Sequence, residues 1–194
     1  MPERCSPDTL RGKPVQDKIG RKNLVMFAIA VIAILLDQWT KSLVRAHLPV
    51  HESWMPIAWL EPYVTLTHTH NTGVAFGLFQ GRGVLFSVVN IVVVVAIILA
   101  YRHIPSKSWL LRVALGLEMG GAIGNLIDRL TIGHVTDFIN VRVFAIFNVA
   151  DSCITVGAIL LGYYALFLDR DEPAHAASLA APAAPPDDAG QEPR

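Results

Sequence analysis

The sequence predicts an all-α membrane protein with four transmembrane helices, and three observations support this class. The 194-residue chain is 53% hydrophobic and only 16% charged, and its mean hydropathy of +0.44 is high for a soluble domain. The apolar residues fall into four long runs, and about 20 such residues are needed to cross a bilayer core. Lysine and arginine are also distributed unequally between alternate loops.

The first apolar run begins at residue 24 and continues past a polar interruption at 37–41 to residue 44. A basic flank precedes it, but no cleavage site of small residues follows, so we expect an uncleaved helix rather than a signal peptide. Three further membrane helices are predicted over residues 84–101, 109–127 and 144–168. Together these runs define a predicted four-helix domain over residues 23–168.

The two ends of the chain have a different composition. Residues 1–22 are polar, proline-containing and basic, and residues 169–194 are rich in alanine, proline and acid, so both are predicted to be disordered tails. Between the first two helices, residues 46–82 contain prolines and tryptophans, which suit the membrane interface. Polar and apolar residues alternate over 63–68, which indicates short strands.

The basic residues predict the orientation of the helices. The N-terminal tail and the 102–112 loop hold nine lysines and arginines, whereas the opposite side holds five. Positive loops stay in the cytoplasm, so both termini are predicted to be cytoplasmic. A formal net charge of zero gives no basic surface for nucleic acid. The two cysteines lie in a polar tail and an apolar run, which argues against a disulfide framework.

A repeated Asn-x-x-Asp pattern is the strongest functional signal. It occurs as Asn125 with Asp128 at the end of the third apolar run, and as Asn148 with Asp151 near the start of the fourth. Acids inside apolar segments are costly and suggest a functional site. Asp128 and Asp151 are therefore predicted to be catalytic: two close carboxyl groups share a proton, so one acts as base and the other as acid. The alternative interpretation is structural, with Asp128 paired to Arg129 and Asp151 bonded to a neighbouring helix.

Two further patterns are interpreted as structural. Gly116, Gly120 and Gly124 form a seam of small residues for close helix packing. Asp37 and Lys41 are spaced for an ion pair within one helix, and support is the role expected for them. His68 and His70 alternate along a possible strand, but no metal-ligand set accompanies them, so no metal and no cofactor are expected.

The chain resembles the bacterial lipoprotein signal peptidase (signal peptidase II) family. The resemblance rests on five blocks in order, at residues 37–41, 71–77, 120–129, 135–139 and 147–151. It implies four transmembrane helices with cytoplasmic termini, a small extracytoplasmic β-like cradle and a short amphipathic helix. It also implies an intramembrane aspartyl endopeptidase of the inner membrane, with its active site near the outer face. Such an enzyme removes signal peptides from prolipoproteins by cleaving before a diacylglyceryl-modified cysteine.

The resemblance also implies roles for single residues. Asp128 and Asp151 match the catalytic pair, and Asp37 matches a structural acid. Positioning or substrate-contacting roles fall on Asn71, Asn125, Arg129 and Asn148. The implied partners are lipidated prolipoproteins, membrane lipid and globomycin-type inhibitors. Glu118 departs from the pattern, because an uncharged residue is expected in its segment.

A proton-coupled membrane transporter is the alternative function, since membrane acids also serve proton relays. A relay would place acids across the whole bilayer, whereas Asp37, Asp128 and Asp151 are predicted at one level. Transporters also tend to contain internal repeats, and the sequence shows none. The peptidase is therefore the favoured prediction.

Overall fold

The structure is a computed structural model, and it describes residues 16–73, 83–101, 104 and 108–168. Its long helices are α1 (Gln16–His47), α2 (Gly83–Ala100), α3 (Trp109–Ile132) and α4 (Val149–Tyr163), the last continued by a π-helical turn at Tyr164–Leu168. All four contain a stretch long and apolar enough to cross a membrane. The predicted four-helix membrane fold is confirmed.

The helix bounds differ from the predicted ones in informative ways. α1 already begins at Gln16, so the predicted tail boundary at residue 22 falls inside the helix. α3 continues to Ile132, and Gly133 ends it in the left-handed conformation (φ 80°) that favours glycine. α4 begins only at Val149, because Asn148 is extended and caps the helix. The predicted tails at 1–15 and 169–194 lie outside the described residues.

Glycines let α3 pack closely against its neighbours, as the sequence predicts. A Cβ atom placed on Gly120 would lie 2.6 Å from Ala33 Cβ, and one on Gly124 would lie 2.6 Å from Asp37 Oδ2. These two positions face α1. On the α4 side, a Cβ on Gly121 would lie 2.5 Å from the Ala150 carbonyl oxygen. α3 is therefore held between α1 and α4 at backbone contact distance.

A three-stranded antiparallel sheet lies beside this helix layer, in the order β1 (Ser53–Trp54), β2 (Thr65–Asn71) and β3 (Val135–Asn140). Asn71 pairs with Val135 where β2 ends and β3 begins. This sheet is the small β region that the resemblance implies. Residues 57–64, between β1 and β2, form consecutive hydrogen-bonded turns, and they are the nearest counterpart to the implied amphipathic helix.

The sheet packs at the end of the bundle where α1 and α3 finish and α4 begins. The backbone N–H of Thr136 in β3 donates to Asp128 in α3, and that of Ala150 in α4 donates to Asp37 in α1. β3 also extends to Phe147 through a β-bridge from Ile139, just before α4 starts. This arrangement brings strand residues next to the first turn of α4.

Candidate active site

The second Asn-x-x-Asp motif forms the start of α4. Asn148 Oδ1 accepts a hydrogen bond from the Asp151 N–H at 2.9 Å, and Asp151 Oδ2 accepts one from the Asn148 N–H at 3.2 Å. This reciprocal pair is a capping box. It holds the Asp151 carboxylate in the first turn of a helix, where the partial positive charge of the helix dipole favours an anion.

The asparagine of the first motif contacts the aspartate of the second. Asn125 Nδ2 donates to Asp151 Oδ1 at 2.7 Å, which crosses from α3 to α4. Asn125 Oδ1 accepts from Asn148 Nδ2 at 3.2 Å. The two predicted positioning asparagines therefore contact each other. Their side-chain amides and the Asn148 backbone N–H are three donors to the carboxylates of Asp151 and Asp137.

Asp137, in β3, is the second acid beside Asp151. Asn148 Nδ2 donates to Asp137 Oδ1 at 2.6 Å, and Asn71 Nδ2 donates to Asp137 Oδ2 at 2.8 Å. Burial, together with the charge of Asp151, raises the pKa of Asp137 from 3.8 to about 7, although the two asparagine donors and the charge of Lys41 oppose this shift. A carboxyl group in this state can give up a proton near neutral pH.

Asp128 lies in a different environment from the one predicted. Its Oδ2 accepts from the Thr136 N–H at 3.0 Å and lies 3.3 Å from Lys41 Nζ, while its Oδ1 lies 3.4 Å from Arg45 Nη1. The side chain is only 1% exposed. Asp128, in α3, is thus linked to α1 by Lys41 and Arg45 and to β3 by the Thr136 N–H. The structural interpretation of the sequence had paired Asp128 with Arg129 instead.

Asp37 and Lys41 form the predicted ion pair within α1. Asp37 Oδ2 lies 2.8 Å from Lys41 Nζ, and both side chains are fully buried. Asp37 Oδ1 accepts from the Ala150 N–H at 2.9 Å, one of the otherwise unpaired donors at the start of α4. Asp37 therefore supports the position of α4.

A cavity of about 640 Å³ contains the acid pair. Its polar lining includes both Asp137 and Asp151, whereas Asp128 is absent from it. The other polar residues named above that line it are Asn71, Asn125 and Arg129. Much of the remaining wall is apolar and consists of residues 144–147 together with Ile154 and Val156. The size is in the range of about 300–1,000 Å³ that is usual for ligand sites.

Arg129 is the cation in the lining of this cavity. Its Nη2 donates to the Gly73 carbonyl oxygen at 3.4 Å, and its guanidinium carbon lies 5.8 Å from the centre of the Phe86 ring. The Nε atom is buried without a hydrogen-bond partner among the described residues. Arg129 lines the same cavity as Asp137 and Asp151, so it places a positive charge next to both acids.

The contacts do not bring the two acids of the predicted catalytic pair into one cavity. Asp128 and Asp151 do not share the cavity; Asp137 and Asp151 do, and Asn148 links them. The sequence interpretation selected acids in predicted membrane helices, and Asp137 was not among them because it lies in a short strand. Asp137 could have been found from residues 135–139, where it is the single acid among mostly apolar residues. This segment is one of the five blocks of the family resemblance, but no role was assigned to its acid.

Three histidines form a separate cluster, with His68 and His70 on β2 and His134 just before β3. The His70 ring lies 3.8 Å from that of His134 and 5.2 Å from that of His68, and His68 Nδ1 contacts the Leu48 carbonyl oxygen at 2.7 Å. In the ranges that the structure describes, no group of three or more His, Cys, Asp or Glu side chains is arranged to hold a metal ion.

Known proteins match both the sequence and the fold. The sequence model described as Signal peptidase (SPase) II matches residues 29–167. The lipoprotein signal peptidase of Moorella thermoacetica is 40% identical over 69% of this chain and 87% of its own length. That of Halothermothrix orenii is 41% identical over 72% and 94%.

A bacterial membrane enzyme solved by the in meso method at 1.9 Å resolution is similar in structure. It has a TM-score of 0.65 and 32% identity, and the match covers 77% of this chain and 95% of that one. A second such structure, at 2.3 Å resolution, also has a TM-score of 0.65, with 31% identity over 78% and 90%. The fold, the sequence and the five blocks agree, so the chain belongs to the signal peptidase II family, the membrane-spanning peptidases that remove lipoprotein signal peptides.

Proposed function

We propose that this chain is an intramembrane aspartyl endopeptidase that uses Asp137 and Asp151 as its catalytic pair. The observation that carries the proposal is the Asn148 side chain. Its Nδ2 donates to Asp137, while its Oδ1 caps the helix turn that holds Asp151, so both acids are oriented by one residue toward one cavity. Asp128 has a supporting role, because its Oδ2 is occupied by Lys41 and a backbone N–H and its Oδ1 by Arg45 and Gln38.

The two acids differ in environment, which assigns the shared proton. Asp151 accepts N–H donors at both oxygens and is held in the first turn of α4. Asp137 lies in a strand without a helix dipole, and its pKa is raised to about 7. We therefore assign the role of general acid to Asp137 and the role of general base to Asp151.

The proposed reaction follows from these two roles. Asp151 takes a proton from water, and the remaining hydroxide oxygen bonds to the scissile carbonyl carbon. The carbonyl oxygen becomes an oxyanion, and Arg129, which belongs to the cavity lining, is the cation assigned to stabilise it. When the C–N bond breaks, Asp137 gives its proton to the leaving nitrogen. Transfer of the proton from Asp151 back to Asp137 restores the starting state.

The cavity suits a substrate held at the membrane surface. It joins a polar end, which contains the acids, to an apolar wall from residues 144–147 and the first turns of α4. A lipid anchor on the substrate would fix the depth of the scissile bond, which is positioning through a remote group. We propose that the substrates are prolipoproteins cleaved before their diacylglyceryl-modified cysteine, and that globomycin-type inhibitors occupy the same cavity.

The proposed setting follows from the basic-residue asymmetry of the sequence. Both termini would lie in the cytoplasm, and the sheet and the acid pair would lie near the outer face of the bacterial inner membrane. Membrane lipid would then surround the apolar surfaces of α1 and α2, where Leu35 is 63% exposed and Leu99 is 70% exposed.

Cleavage of two precursors tests this function. Purified protein is incubated with a diacylglyceryl-modified precursor and with the same precursor carrying an unmodified cysteine, and products are separated by gel electrophoresis. We expect cleavage of the modified precursor and a rate at least tenfold lower for the unmodified one. Equal rates for both would contradict the role of the lipid in presenting the bond, and loss of cleavage with a chelator would contradict an aspartyl mechanism.

A further inference from the structure

Lys41 is a buried cation whose contacts reach beyond its ion pair. Its side chain is fully buried, and Nζ lies 2.8 Å from Asp37 Oδ2 and 3.3 Å from Asp128 Oδ2. Nζ also donates to Asn125 Oδ1 at 2.9 Å. An ammonium group has three hydrogen-bond donors and no acceptor, so these three oxygens account for all of its protons.

The contact with Asn125 determines which way that amide points. Asn125 Oδ1 accepts from Lys41 and from Asn148 Nδ2, two groups that can only donate. A reversed amide would place its N–H groups against both donors, which is unfavourable. The Nδ2 group is therefore held on the other side, where it donates to Asp151 Oδ1 at 2.7 Å.

We infer that Lys41 is a positioning residue for the acid pair, acting through Asn125 to keep an N–H donor on the Asp151 carboxylate. This inference rests on the proposed pairing of Asp137 with Asp151. It assigns Lys41 a task that a counterion for two aspartates would not have. A counterion needs only a positive charge, whereas orienting Asn125 needs a hydrogen-bond donor at the position of Nζ.

A matched pair of double variants separates the two tasks. Removing Lys41 alone would leave buried carboxylates uncompensated, so Asp37→Asn is introduced with it to keep the cluster balanced. The Asp37→Asn side chain can still accept from the Ala150 N–H, and Asp128 keeps Arg45 and Thr136. Lys41→Met and Lys41→Gln then differ little in length and not at all in charge, but only glutamine can donate to Asn125.

The expected result is a difference in turnover. Asp37→Asn/Lys41→Met should have a kcat about 10- to 100-fold below that of Asp37→Asn/Lys41→Gln, the factor that corresponds to one hydrogen bond to a charged group. KM for the lipidated precursor should agree between them within about threefold, since Lys41 does not line the cavity. Equal kcat values for the two folded proteins, or a difference confined to KM, would overturn the inference.

A second variant keeps the inference testable if the methionine protein is not recovered from membranes. Asn125→Leu removes the same link while Lys41 keeps both carboxylates, and it should lower kcat by a similar factor; an unchanged kcat overturns the inference. Asp137→Asn, measured in the same assay, distinguishes a failure of the proposed acid pair from a failure of the role of Lys41. If Asp137→Asn is active, the proposed acid pair is wrong, and if it is inactive while methionine and glutamine behave alike, only the role of Lys41 is wrong.

Discussion

Asn148 is the residue whose replacement should reveal most about the site, because it caps α4 and also donates to Asp137 and Asn125. Asn148→Ser keeps a capping oxygen but is too short to reach Asp137, whereas Asn148→Ala removes both functions. The cap contributes about 0.5–2 kcal/mol. The serine variant should therefore be more stable than the alanine variant by about 1 kcal/mol.

Activity should respond differently from stability. Both Asn148 variants lose the 2.6 Å bond to Asp137 Oδ1, and losing a hydrogen bond to a charged or buried carboxyl costs about 1–3 kcal/mol, or about 5- to 150-fold in rate. Thermal unfolding in detergent measures the stability, and precursor cleavage per folded protein measures the rate. If Asn148→Ser folded normally and kept the wild-type rate, the bond to Asp137 would have no catalytic importance and the reasoning would be refuted.

Three further predictions concern pH, packing and orientation. The pKa of Asp137 is raised from 3.8 to about 7, so kcat should fall as the pH rises through about 7 and Asp137 loses its proton. The same shift should stabilise the folded protein below pH 4, and this stabilisation should be lost as the pH rises through about 7. Thermal unfolding at several pH values measures it, and Asp137→Asn should abolish this pH dependence. Gly124→Ala should destabilise the protein by about 1–3 kcal/mol because its Cβ would meet Asp37, whereas Gly162→Ala, with open space around it, should be neutral or stabilising in the same unfolding assay. A cysteine at Gly133 should be labelled from outside intact cells and one at Ser106 should not; the opposite pattern would place the acids on the cytoplasmic side.

The membrane fold was predictable because its signals are local. Four apolar runs of sufficient length predict four spans, and the small residues at Gly120 and Gly124 predict close packing of α3. The start of α4 was less predictable. The apolar residues 144–147 before Asn148 continue the hydrophobic run, but they are not helical, and Phe147 forms a β-bridge with Ile139. Only the capping box therefore defines where the helix begins.

The proposed acid pair was not predictable from spacing, because it depends on contacts between distant segments. Residues three apart share a helix face, so the Asn-x-x-Asp repeat by itself places each asparagine beside the aspartate of its own motif. In the structure, Asn125 instead serves Asp151, and a buried lysine from α1 occupies Asp128. The alternation of a strand places Asp137 toward α4, which no helical period could indicate. Glu118, whose partner the sequence did not reveal, packs its side chain against Gly157 of α4.

The most direct test of the central claim compares cleavage by three single variants, each corrected for the amount of folded protein. Replacing aspartate with asparagine keeps the shape and removes the ionisable group. Asp137→Asn and Asp151→Asn should each lose nearly all activity, and the double variant should be little worse than either, since the two acids act as a unit. Asp128→Asn should be recovered in lower yield but should keep a substantial rate per folded molecule. An Asp137→Asn protein that still cleaves the lipidated precursor, beside an inactive folded Asp128→Asn protein, would contradict the account.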